Sequence, residues 1–303
     1  VVGAGPSGLE CALTLARKGH SVTIAEAGED LGGRLLKESK LPGLSSWIRV
    51  VDYRATLLKR MPNVEIYYDS RLTAEDILEF GFDHVVLATG SRWRRDGVGF
   101  NNKKPVEIHG EASVLTPNDV MDGEQVQGHV VIYDDDHYYM GGCLAEKFIS
   151  EGHPVTLVTP STSVSSWTEM TDEQLFIQTK LMRSGVKVVT TRSLVSVDKN
   201  ALDIACTYTG ATETLAFDTL VLVTSRAPED ALFQQLGENG HCDKFESLSC
   251  IGDCDAPGAV VDAVHSGHRY ARMFGAGTEG ESGGYPASAV SFKRERILLE
   301  PIE

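Results

Sequence analysis

The sequence predicts an α/β protein built from two parallel-sheet units of one kind, the second inserted into the first. Three observations predict it. An apolar start runs into glycines in Val1-Val2-Gly3-Ala4-Gly5-Pro6-Ser7-Gly8, a spacing that permits a tight turn, close approach of backbone to a pyrophosphate, and close helix packing. The same strand-to-helix pattern restarts at His129-Val130-Val131-Ile132-Tyr133, with the turn rewritten as Asp134-Asp135-Asp136. Between and after them, short apolar runs alternate with helical periodicity, the order expected of two Rossmann-like dinucleotide-binding domains.

The elements follow in order. Residues 6 to 18 read as the first helix, stopped by Gly19, and Val22 to Ala25 as the next strand, with Glu26 at its end where a carboxylate accepts ribose hydroxyls. Trp47 to Met61 has helical spacing, Val64 to Tyr67 reads as a strand, Thr73 caps a short helix with Asp76 three residues on, and Val85 to Ala88 is a buried strand ending at Thr89-Gly90. Arg92 to Asp122 lacks periodicity and reads as a connector. In the second unit a helix from Gly141 to Ser150 stops at Gly152, and strands follow at Val155 to Val158 and Val186 to Val189, with a helix near Asp172 to Ser184 between them. Three alternating segments, Leu194 to Val197, Leu202 to Thr207 and Glu213 to Phe217, suggest an antiparallel meander. Leu220 to Val223 is again a buried strand, and the chain is expected to return there to the first domain, which Ser249 to Asp253 and a helix from Ala259 to Phe274 complete. The domains are therefore placed at 1–115 with 220–275, and at 116–219. Residues 275 to 284 read as a linker, with 276–303 forming linker and tail, and the segment Ser291 to Arg296 is expected to dock elsewhere.

Composition narrows the function. A chain of 303 residues suggests about two domains. A net charge of -15 argues against nucleic acid or an anionic membrane as partner, and Arg92, Arg94 and Arg95 make only a short basic run. No apolar stretch approaches the roughly 18 residues of a membrane span and no signal peptide is visible, so a cytoplasmic protein is expected. Six cysteines, at 11, 143, 206, 242, 250 and 254, include no C-x-x-C. They read as thiols of a reducing compartment, with Cys250 and Cys254 as packing residues. Because the chain opens inside a strand without methionine, it reads as a piece of a longer polypeptide.

Taken together, Gly3 to Gly8, Glu26, Gly32-Gly33, Ala88-Thr89-Gly90 and Ile251-Gly252-Asp253 resemble the two-dinucleotide-domain flavoproteins of the glutathione-reductase type. More narrowly, the chain is similar to the C-terminal half of trimethylamine dehydrogenase and its relatives, the histamine and dimethylamine dehydrogenases and the 2,4-dienoyl-CoA reductases. The residues carrying this are Leu41-Pro42-Gly43-Leu44, Asp52-Tyr53-Arg54, Ala88 to Trp93, Leu144-Ala145-Glu146-Lys147, Gly267-His268-Arg269 and Phe292-Lys293-Arg294-Glu295. The resemblance implies an upstream (β/α)8 barrel holding FMN and a 4Fe-4S cluster, an electron carrier such as electron-transfer flavoprotein as partner, and a homo-oligomer. It also implies cofactor-binding roles by position. Gly3, Gly5, Pro6, Ser7 and Gly8 would hold the pyrophosphate of FAD or ADP, and Glu26 with Ala27 the adenosine ribose. Gly33, Arg34 and Leu35 would run beside the phosphates, with Arg34 supplying positive charge. Ala88, Thr89 and Gly90 would line the site, and Gly252 and Asp253 would meet a ribityl or ribose hydroxyl, unless Asp253 is a helix cap.

The second copy reads differently. No glycine precedes Gly141 in its turn, and at about 5 Å each carboxylate–phosphate pair would cost on the order of 1 to 3 kcal/mol. Thr159 stands where Glu26 stands in the first copy, so NAD(P) is not expected as a ligand. A metal site from Asp134, Asp136 and His137 is the sharper alternative, but it lacks regular ligand spacing. His265 and His268 lack a third ligand and read as solvated or interface histidines.

The leading reading is an FAD- or ADP-binding portion of a flavin and iron–sulfur amine dehydrogenase, with no catalytic residue in this chain. Alternatives are an NADPH-dependent 2,4-dienoyl-CoA or enoate reductase, and a non-catalytic interaction domain stabilised by nucleotide.

Overall fold

The computed structural model describes residues 1–237 and 244–275. The expectations for the linker after Gly275 and for the tail lie outside them.

The first sheet is parallel and five strands wide. Val22–Ala25 pairs with Val64–Tyr67, and His84–Leu87 pairs with Ser247–Cys250. Val2 bridges the two halves through Ala25 and Leu87. Its amide donates to the Val86 carbonyl at 2.8 Å, and Gly3 donates to the Ala25 carbonyl at 2.8 Å. Helix Pro6–Arg17 starts with proline, whose missing N–H and fixed φ suit the first helical position. Pro6 to Ala16 are all buried, because the helix is sandwiched between this sheet and helix Val260–Met273. Gly267 makes that packing possible, since a Cβ there would run into the carbonyl of Ser7.

The second sheet is also parallel, in the order Val114–Leu115, Thr219–Val223, Val130–Asp134, Val155–Val158, Lys187–Val189. The meander appears as Arg192–Asp198, Ala201–Cys206 and Thr212–Ala216, antiparallel, with Glu107–Ile108 added in parallel at one edge.

The passage between units differs from expectation. Thr219–Val223 does not return to the first domain; it pairs with Val130–Asp134 and Val114–Leu115 inside the second sheet. Every residue of this strand is buried, and the apolar run Leu220 to Val223 is what a parallel strand covered on both faces requires. The crossing is a two-stranded ribbon, Ser91–Trp93 antiparallel to Arg226–Pro228, so the chain leaves and re-enters side by side. The connector is also more ordered than its composition suggests. Thr116 and Asp119 form a capping box at the start of helix Pro117–Asp122.

The two units share apolar packing. Leu41, Leu44 and Trp93 join the cluster formed by Ile132, Met140, Leu144 and Phe148. The Leu41-Pro42-Gly43-Leu44 segment is thus an apolar fastening between the units. Among the described residues no helix is long and apolar enough to cross a membrane.

Candidate functional site

A cleft of about 540 Å³ opens at the carboxyl ends of the first sheet, where open parallel sheets take their ligands. A second, apolar cleft of about 300 Å³ runs among Leu15, Val22, Phe80, Phe82 and Phe274, and touches none of Gly3 to Gly8. The first is the candidate site.

Of the residues expected there, Gly3, Gly5, Pro6, Ser7, Glu26, Ala27, Gly33, Arg34, Ala88, Thr89, Gly90 and Asp253 line the cleft. Gly8, Leu35 and Gly252 do not. Gly8 is needed because a Cβ would collide with the Gly3 carbonyl, Leu35 is fully buried core, and Gly252 packs on Ser7. Lining residues that the sequence reading missed include Ser70, Arg71, Ser91, Arg92 and Gln235. Ser70 and Arg71 reach the cleft from a loop, Ser91 and Arg92 from strand Ser91–Trp93, and Gln235 from helix Ala231–Gly237.

Three features of the cleft fit an anionic nucleotide. A Cβ built on Gly5 meets no protein atom within 4 Å, so open space stands against that backbone. Ser7 Oγ is buried without a hydrogen-bond partner at the first turn of helix Pro6–Arg17, where backbone donors and the helix dipole favour anions. Glu26 accepts from the Ala4 amide at 2.7 Å through Oε2 and from the Gly28 amide at 2.9 Å through Oε1. Each oxygen keeps acceptor capacity for a hydroxyl.

The far end of the cleft is closed by charge pairing. Asp253 Oδ2 lies 3.1 Å from Arg34 Nε and 3.1 Å from Arg226 Nη1, and accepts from Ser91 Oγ at 3.2 Å. Its Oδ1 accepts from the Gly258 amide at 3.2 Å. Arg34 is further bound to Glu38 at 3.0 Å and donates to the Gly258 carbonyl at 2.9 Å. Its guanidinium is therefore held by neighbouring residues, although its position does line the cleft. Arg226 was not singled out in the sequence. It donates to the Gly258 carbonyl at 2.6 Å, its guanidinium lies 5.2 Å from the centre of the Trp93 ring, and burial lowers its pKa from the ordinary arginine value.

Beneath the cleft, Cys254 lies in a buried apolar cluster with Ile77, Val85 and Leu87, and Cys250 packs against it, as expected of packing residues. Their sulfurs lie 3.3 Å apart, and Thr89 Oγ1 lies 3.1 Å from Cys254 Sγ.

In the second unit the turn is filled by its own side chains. Asp134 Oδ1 accepts from the amides of Asp136 at 3.2 Å and His137 at 3.1 Å, and a Cβ on Gly141 would lie 2.5 Å from Asp134 Oδ2. The carboxylate thus sits at the helix start and takes turn donors that a phosphate would need. Burial, then the neighbouring Asp136, push Asp134 up to about 7, and its Oδ2 has no hydrogen-bond partner. The space and the donors of this turn are thus taken by Asp134, a feature that the sequence alone shows only as a run of carboxylates. Asp135 accepts from the Asn101 amide at 2.8 Å and pairs with His137 Nε2 at 3.2 Å. Burial by itself would lower His137; its bond to Asp135 and the charges of Asp134 and Asp136 outweigh that and raise it. Among the described residues no group of three or more His, Cys, Asp or Glu side chains could hold a metal ion.

Comparison with known proteins agrees with this architecture. The family model described as pyridine nucleotide-disulphide oxidoreductase matches residues 1–244. The chain belongs to the pyridine nucleotide-disulphide oxidoreductase family. It is similar to the dimethylamine dehydrogenase of Hyphomicrobium sp. (strain x), 35% identical over 303 residues and covering 90% of this chain and 41% of that protein. Among solved structures, histamine dehydrogenase from Rhizobium sp. 4-9 superposes with a TM-score of 0.89 at 44% identity, covering 99% of this chain and 46% of that one. The 6-hydroxypseudooxynicotine amine oxidase from Pseudomonas geniculata N1 gives a TM-score of 0.86 at 38% identity, over 90% of this chain and 41% of that one. The chain spans less than half the length of each of these relatives.

Within the pyridine nucleotide-disulphide oxidoreductase family the placement of the motif residues becomes intelligible. Arg54 Nε and His268 Nδ1 both meet the Glu10 carboxylate, at 2.6 and 2.8 Å. Thr14 Oγ1 adds a bond at 3.0 Å. The Asp52-Tyr53-Arg54 and Gly267-His268-Arg269 segments therefore clamp the outer face of the nucleotide helix from two neighbouring helices.

Proposed function

We propose that this chain is the adenine-nucleotide-binding portion of an amine-oxidising flavoenzyme, and that its first unit holds ADP. The observation that carries the reading is the contrast between the turns. At Gly3 to Gly8 there is open space against Gly5 and an unpartnered buried Ser7 hydroxyl, whereas at Asp134 to His137 a carboxylate fills the corresponding place. ADP is favoured over FAD because Asp253, the carboxylate expected to meet a ribityl chain, already binds Arg34, Arg226, Ser91 and Gly258. A flavin extension would have to displace part of that set.

In this reading Gly3 to Ser7 present backbone donors to the diphosphate and Glu26 accepts from the adenosine ribose. Substrate chemistry lies in an upstream (β/α)8 barrel with FMN and a 4Fe-4S cluster, groups that would supply amine oxidation and one-electron transfer to a carrier such as electron-transfer flavoprotein. The similarity to dimethylamine and histamine dehydrogenases supports this assignment. Denaturing the purified protein and identifying the released compounds tests it. ADP is the expected product of this site, FAD in a second equivalent beside FMN would replace ADP, and the absence of any adenine nucleotide would sink the proposal. Mixing the complete enzyme with NADPH or with methylated amines separates it from the reductase alternative. Rapid flavin bleaching is expected with amine and not with NADPH.

A further inference from the structure

We infer that Cys250 and Cys254 form a redox-active dithiol that closes to an intramolecular disulfide beneath the nucleotide cleft. Cys250 ends strand Ser247–Cys250 and Cys254 ends the turn Gly252–Cys254, so a strand end and the following turn bring the side chains together. At 3.3 Å the sulfurs are in contact. Closing the bond brings them from this contact to about 2.05 Å.

The surroundings differ from those of the other buried thiols. Cys11 and Cys143 are buried, and burial pushes both thiols up to about 12. Hydrogen bonding with Cys250, and a bond from the Thr89 hydroxyl, instead pull Cys254 down to about 7, against the effect of burial. Thiolate character controls attack on an oxidant or a sulfenic acid. Cys250 is partly exposed and Cys254 is buried, which sets the order of events with hydrogen peroxide as oxidant. The Cys250 sulfur attacks one peroxide oxygen, the O–O bond breaks, and one water leaves. The Cys254 sulfur then attacks the Cys250 sulfenic sulfur, the S–O bond breaks, and the hydroxide leaves with the Cys254 proton as a second water. Two thiols and one peroxide give one disulfide and two waters.

The bond would act on the cleft through the three residues it encloses. Ile251, Gly252 and Asp253 lie between the cysteines, and Asp253 is the residue that Arg34 and Arg226 hold. Thr89, which touches Cys254, lines the same cleft. Oxidation therefore braces the loop that closes the far end of the site, whichever nucleotide occupies it.

The test uses the purified full-length protein treated with hydrogen peroxide, alkylated, unfolded, alkylated again with a second reagent, and mapped by mass spectrometry. The expected product has Cys250 and Cys254 linked to each other and released by dithiothreitol, while Cys11 and Cys143 react only after unfolding. In C254S, Cys250 is expected to accumulate as a sulfenic acid trapped by dimedone. Amide exchange across residues 251–258 should slow by about tenfold on oxidation, because closing the loop suppresses its local opening. Linkage of either cysteine to Cys242 or Cys206 instead would overturn the inference. So would survival of both thiols at a peroxide dose that oxidises Cys206. An unchanged exchange rate in the linked protein would overturn the coupling to the Asp253 loop.

Discussion

Arg226 Nη1 lies 3.1 Å from Asp253 Oδ2, joining the ribbon that re-enters from the second unit to the turn that closes the first unit's cleft. Arg34 Nε reaches the same oxygen at 3.1 Å. Two guanidinium groups on one buried carboxylate make this a structural junction as well as a wall of the site.

Removing one partner from a buried pair leaves the other desolvated, at a cost of about 3 to 5 kcal/mol. Asp253 keeps Arg34 when Arg226 is lost, so Arg226→Met is expected near the lower end, about 3 kcal/mol. Arg226→Lys should recover only part of it, because an ammonium cannot serve Asp253 and the Gly258 carbonyl with a rigid fork. Urea unfolding midpoints of the three proteins check this; equal stability of Arg226→Met and wild type would contradict it.

Gly5 and Gly8 should separate binding from folding. A Cβ at Gly5 meets no protein atom within 4 Å, so Gly5→Ala should fold with a melting temperature near wild type while losing about 1.4 kcal/mol, or tenfold, in ADP affinity. Gly8→Ala drives a methyl into the Gly3 carbonyl and should destabilise by about 1 to 3 kcal/mol. Calorimetric titration of nucleotide-stripped protein, paired with thermal melts, distinguishes the two.

Glu10 gives an acid-dependent term. Burial would raise its pKa, but bonds to His268 and Arg54 outweigh it and hold the carboxyl below its usual 4.5. A depressed folded-state value means the stabilisation is complete above about 4.5 and is lost as pH falls through that lower value. Glu10→Gln should therefore be less stable than wild type at pH 7, with the gap narrowing in acid. Denaturant midpoints across that range, unchanged in their difference, would refute the assignment.

Asp134 should show the opposite sign. Its folded-state value is pushed up to about 7 from 3.8, so wild-type stability is fully present below 3.8 and declines as pH rises through about 7. Asp134→Asn keeps an acceptor for the Asp136 and His137 amides and carries no charge. It is expected to match wild type in mild acid and exceed it at pH 8. A variant that is less stable than wild type at pH 8 would show that the ionised carboxylate is favoured in the turn.

Much of the fold was legible because its signals are local. Glycine spacing at Gly3 to Gly8, the apolar runs from Val130 and Leu220, and Thr73 with Asp76 at a helix start each carry their own stereochemistry. The assignment of Leu220–Val223 to the first domain failed for the same reason. An apolar strand announces that it is buried, and says nothing of which sheet buries it.

By itself, the sequence determined that there are two nucleotide-type units and that only the first keeps an open glycine turn, because backbone approach to phosphate depends on residue size at fixed short spacings. Only the tertiary structure decided that Arg34 is held by Glu38 and Asp253, that Arg226 joins them, that Asp134 occupies its own turn, and that Cys250 touches Cys254. Those contacts follow from how a ribbon, a turn and two sheets are oriented in space, and a side chain's partner is set by that orientation, not by the chemistry of the side chain.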